Sequence, residues 1–139
     1  MKGLCRIVQG TKMEGFFHKL EHWNKVVLFD CKDCGDCALI DLAYLCPMSQ
    51  CPKNERNGAC GGSFEGWCEV YPGKKKCVYV RAYARLKKHR EEAQLEKGCV
   101  PPCNWDMYQT SSWSNFYLGK DHTSKKHGGS LSGEQTKKN

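Results

Sequence analysis

The residues of this sequence best suited to chemistry are its cysteines, which number 11 in 139 residues. Three of them begin a dense block with the spacing Cys-x-x-Cys-x-x-Cys. The block as a whole contains eight candidate metal ligands: Cys31, Cys34, Cys37, Cys46, Cys51, Cys60, Cys68 and Cys77. Thiolates bind soft metals, and eight thiolates supply two four-cysteine centres with none left over. The block therefore predicts a protein that holds two metal centres.

Two kinds of metal centre fit this spacing. A cysteine triplet can reach three irons of one 4Fe-4S cluster while a distant cysteine reaches the fourth. Two later cysteines precede proline, at positions 46 and 51, as in iron-sulfur ferredoxin loops. Zinc sites usually combine two separated Cys-x-x-Cys pairs, and the block has no second pair. We predict two 4Fe-4S clusters as cofactors, with structural zinc as the alternative. The spacing does not decide which four cysteines share a centre.

The rest of the sequence offers little material for a hydrophobic core. Leucine, isoleucine, valine and phenylalanine number 24 of 139 residues, a fraction at which a chain usually cannot bury enough apolar surface to fold. Bound metal can replace such a core, because in small metal-binding domains the free energy of metal binding contributes directly to folding. The predicted fold class is a small, irregular, metal-stapled α+β domain with few short helices, little sheet and a cysteine-rich core that is ferredoxin-like or zinc-finger-like.

Changes of composition divide the chain into four predicted segments. Residues 1–24 contain an N-terminal amphipathic docking helix, and residues 25–98 form the cysteine-rich metal domain with its C-terminal helix. Residues 99–122 form an aromatic segment that docks a partner. Residues 123–139, which are rich in Lys, Gly, Ser and Thr, form a disordered tail.

Hydrophobic periodicity predicts a few elements within these segments. The first helix covers residues 11–23, with an apolar stripe of Met13, Phe16, Phe17, Leu20 and Trp23. A strand follows at residues 25–29, and a short helix at residues 38–45. The last helix covers residues 78–97 and ends at Gly98. Its apolar stripe consists of Tyr79, Ala82, Tyr83 and Leu86.

Five aromatic side chains lie between residues 104 and 118, with too few aliphatic neighbours to form a core of their own. Exposed aromatic clusters commonly mark interfaces. We predict that this segment binds a partner through Trp105, Ser111, Ser112, Trp113, Asn115 and Phe116. The neighbouring Asp121 and His122 are expected to lie in a solvated loop and not to form a catalytic pair, so no catalytic residue is assigned.

Three cysteines lie outside the block, and we expect Cys5, Cys99 and Cys103 to be spare thiols. A dithiol redox site at Cys31 and Cys34 is disfavoured, because such a site sits in a βαβ context and apart from other thiols.

The formal net charge of +7 gives little support to a nucleic-acid partner. Two four-thiolate centres of net charge about −2 each reduce it to about +3. The basic residues 74–76 and 87–90 suggest a rival hypothesis, a zinc module that binds nucleic acid. However, residues 87–90 run directly into Glu91 and Glu92, as on a solvated helix face. No apolar run reaches the length of a signal peptide or a membrane span, so we expect no membrane partner and a cytoplasmic location, where thiols stay reduced.

Several motifs together resemble one known family. They are CKDCGDC at residues 31–37, LCPMSQCPK at 45–53, NGACGGS at 57–63, GWCEVYP at 66–72 and TSSWSNFYLGKDH at 110–122. These motifs are similar to the cysteine-rich C-terminal domain family of methylenetetrahydrofolate reductases, and the resemblance covers about residues 25–122. One departure is Cys103, where the family pattern has no thiol.

The resemblance implies an accessory subunit and not a free-standing enzyme. In this family the domain is fused behind a flavin-containing reductase barrel or stands beside it as a small subunit. It implies that the clusters exchange electrons with the flavin of the reductase, which reduces 5,10-methylene- to 5-methyltetrahydrofolate in one-carbon metabolism. A ferredoxin or another electron carrier is then a second partner. The alternative that the resemblance leaves open is a structural zinc module that stabilises the reductase complex.

Overall fold

The computed structural model describes residues 12–96 and 100–127. These residues form helices α1 (Lys12–Phe29), α2 (Pro47–Gln50), α3 (Val78–His89), α4 (Ser112–Tyr117) and α5 (His122–His127), strands β1 (Ser63–Phe64) and β2 (Trp67–Cys68), and 3-10 helices at Glu92–Leu95 and Trp105–Met107. No helix within the described ranges combines the length and apolarity needed to cross a membrane. The predicted small, cysteine-rich domain with few helices and little sheet is confirmed.

Helix α1 continues without a break through residues 25–29, so the strand predicted there is wrong. Each of these residues adds a helical hydrogen bond, and this outweighs the weak intrinsic preference of valine for strands. The helix ends at Asp30, whose φ of 54° lies in the left-handed region. The amides of Asp30 and Cys31 bind the carbonyls of Val26 (2.9 Å) and Lys25 (3.3 Å), which turns the chain directly into the first cysteine.

The face that α1 turns toward the rest of the domain is polar. Its two buried residues are Glu21 and Lys25, which are 3% and 8% exposed. The apolar stripe predicted from periodicity faces solvent instead, and both Phe16 and Trp23 are 65% exposed. Helix α1 therefore docks through charged groups, in contrast to an ordinary amphipathic helix, and leaves an apolar stripe uncovered.

Residues 38–45, predicted as a short helix, form a series of turns. Ala43 and Tyr44 have φ values of 50° and 59°, which a right-handed helix does not contain. These turns place Leu42 and Leu45 in the interior, where each is 2% exposed. The helix prediction is wrong. The backbone turns more tightly and irregularly than a helix, and this path buries the apolar side chains that were expected on one helical face.

The hydrophobic core is small. One cluster of buried apolar side chains joins the loop before α2 to the first turns of α3, and it consists of Leu42, Leu45, Val78 and Ala82. Partly buried side chains pack around this cluster, namely Ala43, Cys51, Tyr79 and Leu95. The core thus connects directly to Cys51 in the cysteine block.

The sheet is a single antiparallel hairpin between β1 and β2. Its register pairs Ser63 with Cys68 and Phe64 with Trp67. Glu65 and Gly66 form the two-residue loop and have φ values of 50° and 81°, as the tight turns that match the twist of a hairpin require. The hairpin fixes the backbone position of Cys68, which lies between Cys60 and Cys77 in the sequence.

Helix α3 is shorter than predicted and ends at His89. Arg90 adopts a left-handed φ of 59°, and the amides of Arg90 and Glu91 bind the carbonyls of Lys87 (3.2 Å) and Leu86 (3.0 Å). This is a Schellman-type end, with arginine in the position usually taken by glycine. The chain then continues as a 3-10 helix, and Gly98, the predicted helix end, lies outside the described residues.

The folded part of the chain extends past the predicted start of the tail at residue 123. Thr123 is buried, and its hydroxyl donates to the Asp121 carboxylate at 2.7 Å. Helix α5 continues to His127, so the predicted boundary falls inside a helix. Residues 128–139 lie outside the described residues.

Candidate metal centres

The structure brings the first four cysteines of the block together. Cys31, Cys34 and Cys37 line one partly open cavity of about 20 Å³. Desolvation is the main cause of the raised pKa of each of these three thiols, and the charge of Cys46, which does not line the cavity, contributes to it. We call these four residues the first thiol group. The triplet and the first Cys-Pro pair thus lie near one another.

The other four cysteines of the block form a second thiol group. Cys51, Cys60, Cys68 and Cys77 line a separate, partly open cavity, also of about 20 Å³. The members come from the loop after α2, from the β hairpin and from the residue that precedes α3. The eight candidate ligands therefore divide into two sets of four, a division that their spacing alone does not determine.

The second cavity is lined by four thiols, which match a four-thiolate centre in number and type, whereas the first is lined by three thiols. A cavity of about 20 Å³ admits a water-sized occupant. Within residues 12–96 and 100–127, no three His, Cys, Asp or Glu side chains are arranged as a ready site for a metal ion. The donor chemistry therefore fits a metal centre, and loading one requires the thiols to rearrange around it.

Burial controls the protonation of the first thiol group. Desolvation raises the pKa values of Cys31 and Cys37 and raises the pKa of Cys34 to about 12. Two backbone amides oppose this effect, because the amide of Asp33 donates to Cys31 Sγ at 3.4 Å and the amide of Leu39 donates to Cys37. A metal ion binds the thiolate form, so loading this group would release protons.

A buried ion pair on α1 covers the first thiol group. Lys25 Nζ donates to Glu21 Oε1 at 2.8 Å and also to the Ser112 hydroxyl. Glu21 accepts further hydrogen bonds from the hydroxyls of Ser111 and Ser112 and from the Trp113 amide. Burial disfavours the Lys25 cation, but the negative charges of Cys37 and Glu21 raise its pKa overall. A buried cation thus stands beside the thiols, joined through Glu21 to the start of α4.

Sequence reasoning missed this cluster, although one signal was present. Glu21 and Lys25 are four residues apart on a helix, which is the spacing of a helical ion pair. Such pairs usually lie on a solvated face, and the sequence does not show which residues cover this one. In the structure Ser111, Ser112 and Trp113 supply hydrogen bonds to the pair and bury it.

Replacing Glu21 with glutamine is expected to lower the free energy of unfolding by about 2–3 kcal/mol. The amide keeps the shape of the side chain but leaves the buried Lys25 without its carboxylate partner. Urea denaturation of both proteins measures this effect. Glu69→Gln is the matched control, because Glu69 pairs with Lys53 at an exposed position and its loss should leave the midpoint close to wild type. Equal effects of the two substitutions would contradict the structural role of Glu21.

A second buried cluster was also missed, and it involves His122. The ring nitrogens of His122 lie 2.6 Å from Asp36 Oδ1 and 2.9 Å from Asp41 Oδ2. Burial disfavours the imidazolium, but these two carboxylates raise the pKa of His122 overall. Asp121 binds the amide of Ser124 at 2.9 Å instead. Asp121 and His122 therefore have separate partners, and they are buried or half-buried, in contrast to the solvated loop that was predicted.

The six residues predicted to bind a partner separate into two kinds. Trp105 and Trp113 are exposed, at 59% and 52%, and Phe116 is half-buried. The polar members Ser111, Ser112 and Asn115 are buried and hydrogen-bonded within the chain. Ser111 caps α4 by accepting from the amide of Ser114, and Asn115 donates to the carbonyl of Gly35 at 2.9 Å. The polar residues therefore hold α4 against the first cysteine loop.

Cys103 lies beside the first thiol group. Its thiol donates to the carbonyl of Cys34 at 4.0 Å, and its charge contributes to the raised pKa of the Cys34 thiol. It is therefore a fifth thiol near that group, in contrast to the expectation of an unrelated spare cysteine. Cys5 and Cys99 lie outside the described residues.

These features define a class of protein: a small cysteine-rich domain built around two four-thiol groups, with a core cluster of four apolar side chains. The family model described as "Methylene-tetrahydrofolate reductase C terminal" matches residues 10–106, and the chain belongs to that family. The resemblance seen in the cysteine motifs is thereby confirmed. No curated protein and no solved structure matches the chain.

Proposed function

We propose that this chain is an accessory electron-transfer module of a methylenetetrahydrofolate reductase, with one 4Fe-4S cluster in each thiol group. It exchanges single electrons with the flavin of the reductase subunit, which converts 5,10-methylene- to 5-methyltetrahydrofolate. A ferredoxin or another carrier is the second electron partner. Membership of the reductase C-terminal family supports the association with a reductase. A cytoplasmic location fits this role, because the thiols must stay reduced to bind metal.

The observation that carries this proposal is the division of eight cysteines into two groups of four. The second group surrounds one cavity, and three members of the first group line another, whose wall also includes two histidines and two carboxylates. Four thiolates are the ligand set of a 4Fe-4S cluster, which supplies a one-electron redox couple. Two such groups in one small domain provide two redox centres.

The surroundings of the first thiol group suit a negatively charged centre. Lys25 supplies a buried positive charge, and the amides of Asp33 and Leu39 point at sulfur. Hydrogen bonds and charges of this kind set the potential of a thiolate-bound cluster. The second group is closer to solvent, since Cys60 is exposed. The two groups therefore offer different environments, and we expect different reduction potentials.

An exposed apolar surface supports docking to the reductase. The outer stripe of α1 includes Phe16 and Trp23, and Trp113 is exposed at the start of α4. A groove on another face of α1 has Cys37 in its wall together with Leu28, Phe29 and Trp113. Large exposed apolar patches commonly mark protein interfaces. A partner bound there would lie next to the first thiol group, which is where a flavin must approach to exchange electrons.

Metal analysis of the chain purified without oxygen tests the proposal. We expect about eight irons and eight sulfides per chain, with broad visible absorbance that bleaches on reduction by dithionite. Addition of the oxidised flavin-containing reductase subunit should then restore that absorbance as the flavin is reduced. About two zinc ions per chain, without colour, would instead support the alternative, a structural zinc module in the reductase complex. The small apolar core supports that alternative, because bound zinc stabilises small domains that lack a larger core.

A further inference from the structure

One side chain joins the two cysteine loops. Arg56 lies between Cys51 and Cys60, in the loop that supplies the second thiol group. Its guanidinium reaches the loop of the first group, where Nη2 donates to Asp36 Oδ2 at 2.8 Å and Nη1 donates to the Asp36 carbonyl at 2.6 Å. Asp36 directly precedes Cys37. The ligand loops of both groups are therefore connected through one arginine.

The connection is buried and fully hydrogen-bonded. The side chains of Arg56 and Asp36 are each 3% exposed. The Asp36 carboxylate also accepts from the Asn104 amide at 3.2 Å and contacts the His122 ring, while Arg56 Nε donates to the carbonyl of Pro101 at 2.9 Å. Removing one partner from such a pair leaves a buried charge without compensation. The link is thus rigid, in contrast to a pair of solvated side chains.

The backbone of Arg56 is anchored in turn to the second thiol group. The Tyr79 hydroxyl donates to the carbonyl of Arg56 at 2.9 Å and lies 3.3 Å from that of Glu55. Tyr79 is two residues after Cys77, in the first turn of α3, and it lines the cavity of the second group. A continuous chain of contacts therefore runs from Cys77 through Tyr79 and Arg56 to Asp36 and Cys37.

We propose that Arg56 couples the two thiol groups, so that metal bound in the second group strengthens metal binding in the first. This inference rests on the proposed function only in that both groups hold metal, and it applies to iron-sulfur clusters and to zinc alike. Metal in the second group fixes the loop that carries Arg56, and Arg56 then holds Asp36 and the Cys37 ligand in place. Arg56 is a positioning residue and does not touch metal. Because binding free energies are linked, metal in the first group strengthens binding in the second by the same factor.

A double-mutant cycle tests this coupling, with the alkylation rate of individual cysteines as the measured quantity. The metal-loaded chain is treated with a chelator and a thiol alkylating reagent, and mass spectrometry measures the alkylation rate at Cys31 and Cys37. Removing a ligand of the second group by Cys68→Ser should raise that rate about tenfold. In an Arg56→Gln background, the same Cys68→Ser change should raise it less than about twofold. Arg81→Gln is the matched control, because Arg81 is half-buried and binds Gln50 without reaching the first loop.

Each outcome of the cycle decides a separate point. If Cys68→Ser has the same effect in the wild-type and Arg56→Gln backgrounds, the groups are independent or coupled by another route, and the inference is wrong. Arg56→Lys covers the case in which Arg56→Gln does not fold, because lysine keeps the charge but cannot bind all three acceptors, and it should give an intermediate coupling. Full coupling in Arg56→Lys would also overturn the role of the guanidinium. If the thiols of the wild-type chain are unprotected although metal is supplied, the proposed function fails as well, whereas protected but uncoupled thiols contradict only this inference.

Discussion

Replacing Cys37 with serine is expected to abolish metal binding at the first thiol group and to unfold most of the chain. The core cluster of the described residues contains only four apolar side chains, so the proposed metal centres are expected to supply much of the folding free energy. In small zinc domains metal binding contributes about 10 kcal/mol or more, which is comparable with the whole stability of an ordinary domain. Serine is a poor ligand for soft metals. Metal content and thermal melting followed by circular dichroism measure the effect in protein purified without oxygen.

Cys103→Ser is the matched control for that experiment. Cys103 is also a half-buried thiol, and it contacts the carbonyl of Cys34, but it belongs to neither group of four. We expect its substitution to leave metal content and melting close to wild type. A loss of metal equal to that caused by Cys37→Ser would mean that the assignment of four ligands to the first group is wrong.

The cysteine pattern predicted the candidate ligands but not their grouping. Spacing reports which thiols are local to one another, so the triplet at residues 31–37 was visible as a unit. The fourth member of each group depends on how loops return, and the short turns at residues 39–44 bring Cys46 back to the triplet. The spacing of the cysteines does not predict this turn of the chain. The turns depend on residues with a left-handed backbone conformation, such as Ala43, and no sequence pattern identifies them.

The face of α1 that packs against the domain was not predictable from its apolar pattern. Periodicity predicted a docking helix with a stripe that includes Phe16 and Trp23, and the structure leaves these side chains exposed and buries Glu21 and Lys25. A periodic pattern identifies an apolar face but does not say whether that face meets this chain or another one. The helix predicted over residues 11–23 is present, and it differs in length, since it continues to Phe29.

Polar contacts between distant segments were the least predictable part of the site. Arg56 and Asp36 are 20 residues apart, and Glu21 and Ser112 are 91 apart. Each looks like an ordinary surface residue in sequence, because charged and hydroxyl side chains are mostly exposed. Their burial follows from the small apolar core, since a domain that lacks aliphatic side chains must use satisfied polar networks to fill its interior.

Replacing Gly35 with alanine is expected to lower the free energy of unfolding by about 3 kcal/mol or more and to reduce metal binding at the first thiol group. Gly35 lies between Cys34 and Asp36 and has a φ of 70°, which strains any residue with a side chain. A Cβ at this position would lie 2.7 Å from the carbonyl carbon of Met107 and closer still to its oxygen. The obstacle is backbone, so it cannot be relieved by a rotamer change. Urea denaturation and metal analysis of the first group measure the two effects.

The clash also affects the segment that closes over the cysteine loop. The Gly35 carbonyl accepts from Asn115, and the amide of Gln109 binds the carbonyl of Asp33 at 3.0 Å. Moving Met107 away therefore breaks contacts on both sides of Cys34. Gly15→Ala is the matched control, because Gly15 lies on α1 with no atom near its Cβ position, and alanine there should stabilise the helix by up to about 1 kcal/mol. If Gly35→Ala is as stable as Gly15→Ala and keeps its metal, the close approach of residues 107–115 does not position the first thiol group.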